Sequence, residues 1–201
     1  AITIREDDQV IEVLLTSGND EILMANRNGR AIRFNENKVR EMGRTATGVR
    51  AMTLDEDDPM DEVIGMIAVS PDSKDNILVV SELGYGKRSD LEDYRITNRG
   101  GKGVKTINIT EKTGKLVAIK NVNNDNDLMI INKSGTVIRL HVDDIKETKN
   151  RATQGTKLIE LKKRGDSIAH VCVVPRSDEE EESATSEVEM NDAQAIQTET
   201  P

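Results

Sequence analysis

The sequence predicts an all-β fold built from a repeated unit of four short strands. An apolar segment recurs along the 201-residue chain, and its starts are separated by 53, 53 and 52 residues. A second apolar run that ends at a glycine turn follows each of the first three starts, and no long segment has the helical period. Four strands in a unit of roughly 50 residues are typical of a propeller-like array.

The first strand of each unit is the recurring apolar segment. It reads VIEVLLTS at 10–17, VIGMIAVS at 63–70, LVAIKNVN at 116–123 and IAHVCVVP at 168–175. Short apolar runs bounded by turn residues predict strands. A β-sandwich with accidental internal similarity is the alternative, and the shared spacing of strand, glycine and arginine in three units argues against it.

The next apolar run and the strand after it predict a hairpin. The runs EILMANRN, NILVVSEL and DLMIINKS each lead directly into a glycine. Asn28-Gly29 is a strong signal for a type I′ turn, because both central residues of that turn need a positive φ. Ser134-Gly135 is a weaker form of it. An arginine lies four residues beyond each turn glycine: Arg33 after Gly29, Arg88 after Gly84 and Arg139 after Gly135.

A polar loop and a last strand complete each unit. The last strand reads GVRAMTL at 48–54, GVKTINI at 103–109 and GTKLIEL at 155–161. In the loop before it, an arginine (Arg44, Arg99 or Arg151) is followed within six residues by the glycine that opens the strand. This loop has no Walker pattern and no helix follows it, so we interpret it as a repeated structural loop.

These units divide a partial domain, residues 1–175, into repeats at about 10–62, 63–115 and 116–166 and a closing strand at 167–174. The opening AITI matches the end of the last strand, and the sequence has no initiator Met. We therefore expect a fragment of a longer chain, with blades of four strands.

The net charge of −9 conceals a neutral body and an acidic tail. Residues 177–201 hold nine acidic residues and no Lys or Arg, which leaves 28 acidic and 28 basic residues in 1–176. The tail has almost nothing apolar to bury, so we predict a disordered acidic tail over 176–201. It would either compete with a polyanion for the basic surface or only improve solubility.

Positive charge follows the repeat. The windows 26–51, 84–105 and 133–157 carry net charges of +5, +3 and +3, and they occupy the same part of every unit. Equivalent positions of a curved array line up along one rim, so we expect a basic rim that binds the phosphates of duplex DNA without reading its sequence. The first candidates are Arg33, Arg44, Arg88, Arg99, Lys102, Arg139 and Arg151. The second rank comprises Lys38, Arg40, Lys87, Arg95, Lys105, Lys149 and Lys157.

Composition argues against several other functions. Phe34, Tyr85 and Tyr94 are the only aromatic residues, too few for a module that stacks single-stranded bases. Cys172 is the only cysteine and there are two histidines, so we predict no disulfide and no zinc site. We expect no catalytic residue, no metal and no cofactor in this chain, and no run approaches the roughly 20 apolar residues of a membrane span.

At this point the residues resemble a known family. The unit ILVVSELGYGKRSDLEDYRITNRGGKGVKTINI, residues 77–109, resembles one blade of the C-terminal domain of the bacterial DNA gyrase A protein. That family's box motif is Gln-Arg-Arg-Gly-Gly-Lys-Gly. Residues 99–103 match its last five positions, and Thr97 and Asn98 depart from it, so we interpret TNRGGKG as a degenerate copy.

The resemblance implies a β-pinwheel, a six-bladed disc whose blades exchange strands and whose rim is wrapped by duplex DNA with positive handedness. It implies a domain that supports ATP-dependent negative supercoiling together with the gyrase A N-terminal domains and the gyrase B protein in an A2B2 assembly. It also implies a cytoplasmic, chromosome-associated location and no membrane partner. ATP, magnesium and the catalytic tyrosine would belong to other parts of that enzyme. The alternatives are the similar domain of topoisomerase IV and a propeller that binds an acidic protein.

Overall fold

The computed structural model describes residues 2–6, 8–161 and 165–176, and these residues form three β-sheets without an α-helix. The predicted disordered tail lies outside the described residues, apart from Arg176. The strands are β1 (Glu21–Asn26), β2 (Arg30–Asn35), β3 (Val63–Val69), β4 (Asn76–Ser81), β5 (Tyr85–Asp90), β6 (Val104–Lys105), β7 (Leu116–Val122), β8 (Asn126–Asn132), β9 (Val137–His141), β10 (Thr156–Lys157) and β11 (Ile168–Pro175). Short 3₁₀ turns follow β2 at Glu36–Lys38 and β5 at Leu91–Asp93.

Each sheet is one blade of antiparallel strands. The strand order is β3-β1-β2-β6 in the first blade, β7-β4-β5-β10 in the second and β11-β8-β9 in the third. The predicted all-β class is therefore confirmed, and two of the three described blades have the predicted four strands. Strand β7 packs against both β3 and β11, so these three strands form the inner edge of the array and β6 and β10 lie on the outer edge.

Neighbouring repeats exchange strands at the outer edge. Strand β6 belongs to the second repeat in sequence, yet it pairs with β2 of the first blade through Arg30↔Lys105 and Ala31↔Val104. Strand β10 of the third repeat pairs in the same way with β5 of the second blade. Each exchanged strand is only two residues long, shorter than the predicted strands at 103–109 and 155–161.

Glycine is required where the exchanged strands begin. A Cβ atom on Gly103 would lie 2.4 Å from the carbonyl oxygen of Ala31, and one on Gly155 would lie 2.4 Å from that of Gly86. Both glycines also have a positive φ, +69° and +73°. The repeated glycine that the sequence shows before the last strand is thus explained by close contact between backbones of adjacent repeats.

The hydrophobic core lies between blades, because successive side chains of a strand point to opposite faces. Leu23 and Ala25 of β1 pack with Ile77 and Val79 of β4 in the space between the first and second blades. Leu78 and Val80 point the other way and pack with Leu128 and Ile130 of the third blade. Ile22, Ile32 and Phe34 pack under Met52 on the opposite face of the first blade.

The segment 10–17, predicted as a first strand, does not pair with another strand in the described part of the chain. Val13 and Leu15 are 80% and 98% exposed there. The physical reason is that β3 already pairs with β1 at the inner edge of the first blade. Segment 10–17 therefore has no free strand edge of that blade with which to form hydrogen bonds. Among the described residues, no helix has the length and apolar character needed to cross a membrane.

Candidate nucleic-acid interface

The candidate interface is the outer edge of the array, where a loop follows the second strand of each hairpin. We call residues 36–50, 91–105 and 142–157 the first, second and third rim loops. The second and third rim loops contain the exchanged strands β6 and β10, so each of them reaches across to the preceding blade. The predicted basic residues fall mostly in these loops.

Arginines in the rim loops connect each loop to the one before it. The Arg99 Nε donates to the carbonyl oxygen of Lys38 at 3.0 Å, and its Nη1 donates to that of Arg50 at 3.0 Å. The Arg151 Nη1 donates to the carbonyl oxygen of Asp93, also at 3.0 Å. Lys38 and Asp93 are the last residues of the two 3₁₀ turns, so both arginines make the same contact in consecutive repeats.

Arg33 lies inside the protein. Only 4% of its surface is exposed, and its guanidinium forms an ion pair with Glu21 at 2.5 Å. Its Nη1 also donates to the carbonyl oxygens of Leu91 and Tyr94, at 2.8 and 2.9 Å, in the second rim loop. Arg33 therefore links the second rim loop to the first blade by hydrogen bonds.

Arg88 and Arg139 occupy the equivalent places of the second and third blades. Arg88 is 7% exposed and donates to the carbonyl oxygen of Ile145 at 2.6 Å and to the side chain of Asn124 at 2.6 Å. Arg139 forms an ion pair with the buried Asp127 at 2.6 Å, and 31% of its side chain is exposed. Burial opposes ionisation of Asp127, but hydrogen bonds from His141 and Arg139 outweigh it and lower the pKa of this carboxyl.

Lys87 is also buried. Its ammonium donates to the carbonyl oxygen of Asn150 at 3.0 Å and to that of Arg151. Burial lowers the pKa of Lys87 to about 8, an effect that Asp93 opposes and Arg151 reinforces. In the other two blades the same position of the hairpin holds an isoleucine, Ile32 or Ile138.

The site prediction is revised for three residues. The charged groups of Arg33, Arg88 and Lys87 are enclosed and directed at oxygen acceptors of the chain itself, so we assign them to holding repeats together. Sequence spacing gave no sign of this, because a cation required by the fold and a cation required by a ligand recur with the same period.

Of the remaining eleven candidates, Arg139 is exposed on β9 and the other ten lie in the rim loops. Eight of these ten are exposed: Lys38, Arg40, Arg44, Arg95, Lys102, Lys105, Lys149 and Lys157. Arg99 and Arg151 are half-buried. Two further exposed cations of the rim loops, Arg50 and Lys146, were inside the basic windows but were not selected from the sequence. The rim loops retain net charges of +2, +2 and +1, so the third contributes least.

A groove of about 250 Å³ lies between the second rim loop and β2. Arg95, Thr97, Asn98 and Lys102 line its outer side. In the described part of the chain, the main-chain N–H groups of Gly101 and Lys102 donate to no acceptor. Cationic side chains beside unused main-chain donors are suited to bind an anion such as a phosphate group.

Comparisons with known proteins agree with the fold and with the repeat. A family model described as "DNA gyrase C-terminal domain, beta-propeller" matches residues 20–70, 75–123 and 126–175, one match for each blade hairpin. The DNA gyrase A protein of Staphylococcus aureus strain NCTC 8325 is 47% identical over 191 residues, which is 95% of this chain and 21% of the relative. The same protein of strain MRSA252 is also 47% identical over 191 residues. The chain thus spans about a fifth of the length of these curated relatives.

Solved structures share the fold at low sequence identity. A DNA gyrase A C-terminal domain superimposes with a TM-score of 0.76 at 24% identity, over 86% of this chain and 56% of that chain. The C-terminal domain of a DNA topoisomerase IV superimposes with a TM-score of 0.79 at 23% identity, over 94% of this chain and 57% of that one. With three blades each matched by the family model, the chain belongs to the DNA gyrase C-terminal domain family of β-propellers.

Proposed function

We propose that this chain binds and wraps duplex DNA along its rim loops, as part of a gyrase A-type protein. The observation that carries the proposal is the row of exposed cations on consecutive rim loops, which Arg99 and Arg151 connect into one continuous outer edge. A continuous charged edge suits a long, uniformly charged partner better than it suits a compact protein.

The residues that we propose to contact phosphates are the exposed cations of the three rim loops. Phosphate contacts fix the position of a duplex but carry no sequence information, so binding is expected to be independent of sequence. Arg99 uses its Nε and Nη1 to hold the preceding loop, which leaves Nη2 for a phosphate. Arg151 has less to offer, because its Nη1 holds the preceding loop and its Nε is buried. Arg139 is a weaker candidate because Asp127 already neutralises its charge.

In the whole enzyme, this wrap would support ATP-dependent negative supercoiling together with the gyrase A N-terminal domains and the gyrase B protein in an A2B2 assembly. ATP and magnesium would be used there, outside this chain, in the cytoplasm and on the chromosome. The identity of 47% to gyrase A over nearly the whole chain favours gyrase over topoisomerase IV, whose C-terminal domain has a similar fold.

The proposal is tested by measuring the affinity of the 201-residue chain for two unrelated duplexes of about 40 base pairs across a salt series. We expect affinities that agree within about fivefold and a log–log slope of about −0.9 for each phosphate contacted. A flat slope, or binding to one sequence only, would contradict phosphate-based wrapping. No binding at low salt would contradict DNA binding by this chain.

A further inference from the structure

Ile96 is a large apolar residue that is 58% exposed in the middle of the basic second rim loop. Most other exposed large apolar residues lie at the ends of the described array: those from Ile2 to Leu15 before the first blade, Val39 and Met42 in the first rim loop, and Val137 on the last hairpin. Met60 is also exposed, in the acidic segment before β3. Ile96 is different, because described blades lie on either side of its loop. Its exposure is therefore a property of the loop and not of an open end.

The chain holds Ile96 firmly in this position. Its main chain forms a parallel bridge with Arg33, and the next residue, Thr97, donates both its N–H (2.8 Å) and its hydroxyl (3.2 Å) to the Arg33 carbonyl oxygen. Arg33 is itself fixed by the buried pair with Glu21. A side chain presented by a rigid main chain loses little entropy when a ligand covers it.

The same position is acidic in the other two repeats. Glu41, Ile96 and Glu147 each lie eight residues beyond the repeated arginine, and all three are exposed. A cation precedes each of them: Arg40, Arg95 and Lys146. A glutamate beside the cation cancels part of its charge, whereas Ile96 leaves the charge of Arg95 uncompensated by its neighbour and adds an apolar surface.

Charge decides which partner could cover Ile96. Arg95 directly precedes Ile96 and lines the groove of the second rim loop together with Lys102, and Arg99 follows three residues after Ile96. An exposed apolar side chain in a loop of net positive charge fits a polyanion that also has apolar groups between its charges. Duplex DNA has two such groups, the thymine methyl in the major groove and the carbon edge of the deoxyribose.

We propose that Ile96 makes an apolar contact with duplex DNA, between phosphates that are bound by the cations of the second rim loop. The inference rests on the proposed function and adds to it a non-electrostatic contact at a position where the other two repeats carry a glutamate. The contact strengthens binding without changing the number of phosphates neutralised, so it raises affinity at every salt concentration alike.

The test compares Ile96→Ala with Met60→Ala in the 201-residue chain, since Met60 is 64% exposed and lies outside the rim loops. We expect Ile96→Ala to weaken binding to a duplex of about 40 base pairs about fivefold with the salt slope unchanged, and Met60→Ala to have no effect. Ile96→Val should retain most of the affinity. Ile96→Glu, the residue of the other two repeats, should fold normally and bind weakest.

A duplex in which uracil replaces thymine identifies the DNA group. A loss confined to thymine-containing DNA assigns the contact to the methyl group, and an equal loss on both duplexes assigns it to the sugar. Unchanged affinity of Ile96→Ala, or a loss accompanied by a lower salt slope, would overturn the inference while leaving the proposed function intact. Failure of the unmodified chain to bind DNA would instead remove the proposed function and this contact together.

Discussion

At the scale of single residues, the repeated cations of this protein form two groups, one buried and one exposed. The sequence pattern is the same for both groups. Arg33 and Arg88 are buried on the second strand of a hairpin, with acceptors from their own chain. Arg44 and Lys102 belong to the same repeated pattern and are exposed. The repeat therefore predicts where cations recur, whereas inward or outward orientation depends on acceptors such as the Leu91 carbonyl, which is 58 residues away from Arg33 in sequence.

The first prediction contrasts a buried and an exposed arginine. Arg33→Ala leaves Glu21 buried without its partner, so it should lower the free energy of unfolding by about 3–5 kcal/mol. Arg44→Ala should change stability by less than about 0.5 kcal/mol but weaken DNA binding. Urea unfolding and DNA titration of the folded fraction measure both quantities. Loss of DNA affinity in Arg33→Ala without loss of stability would show that Arg33 contacts DNA after all.

The second prediction concerns Lys87 and pH. Its folded-state pKa of about 8 lies below the ordinary lysine value of 10.5, so between these values the unfolded chain binds more protons than the folded one. Stability contributed by this residue should rise with pH from about 8 to about 10.5, by at most about 3 kcal/mol. Below about pH 8, Lys87 is protonated in both the folded and the unfolded state, so its effect on the free energy of unfolding no longer changes with pH.

Lys87→Met removes that titration while keeping a side chain of similar length. Its unfolding free energy should rise less between about pH 7.5 and about pH 10 than that of the unmodified protein, as measured by urea unfolding at each pH. Lys74→Met, at an exposed lysine, serves as the control and should follow the unmodified protein. Parallel curves for Lys87→Met and the control would contradict a lowered pKa of Lys87.

At the scale of elements, the exchanged strands are the least predictable part of the fold. The sequence predicts strands over 103–109 and 155–161, but β6 and β10 cover only two residues each, and the chain bends at Thr106 and Ile107. Beyond them, Ile107 and Ile159 turn into the cores between blades. Which blade a strand joins is decided by contacts distant in sequence, which local patterns do not contain.

The third prediction compares two glycines at the same position of the repeat. Gly155→Ala places a Cβ 2.4 Å from the Gly86 carbonyl oxygen at a φ of +73°, so it should displace β10 and lower the free energy of unfolding by about 3 kcal/mol or more. Gly48→Ala meets nothing within 4 Å in the described structure at a φ of +88°, so it should cost only about 1 kcal/mol. Urea unfolding measures both, and equal losses would mean that the contact across the blades is unimportant.

At the scale of the whole molecule, repeat spacing predicts the architecture and leaves the interface only partly defined. The 52- to 53-residue period predicts the number and order of the blades in this chain, and the basic windows predict that the outer edge is positively charged. Once the buried Arg33, Arg88 and Lys87 are set aside, the charge of that edge depends on exposed rim-loop residues such as Arg44 and Lys102. Their placement on linked rim loops is what a long polyanion would require.

The most direct measurement is a DNA titration of two variants with the same change in net charge. Arg44→Glu with Lys102→Glu reverses two rim cations, and Lys74→Glu with Lys133→Glu reverses two exposed cations outside the rim loops. The rim variant should lose affinity for every duplex sequence alike, by at least about a hundredfold, and its salt slope should fall by about 1.8, while the control stays close to the unmodified chain. Equal losses in the two variants would show that net charge alone governs binding and would contradict a DNA-binding rim.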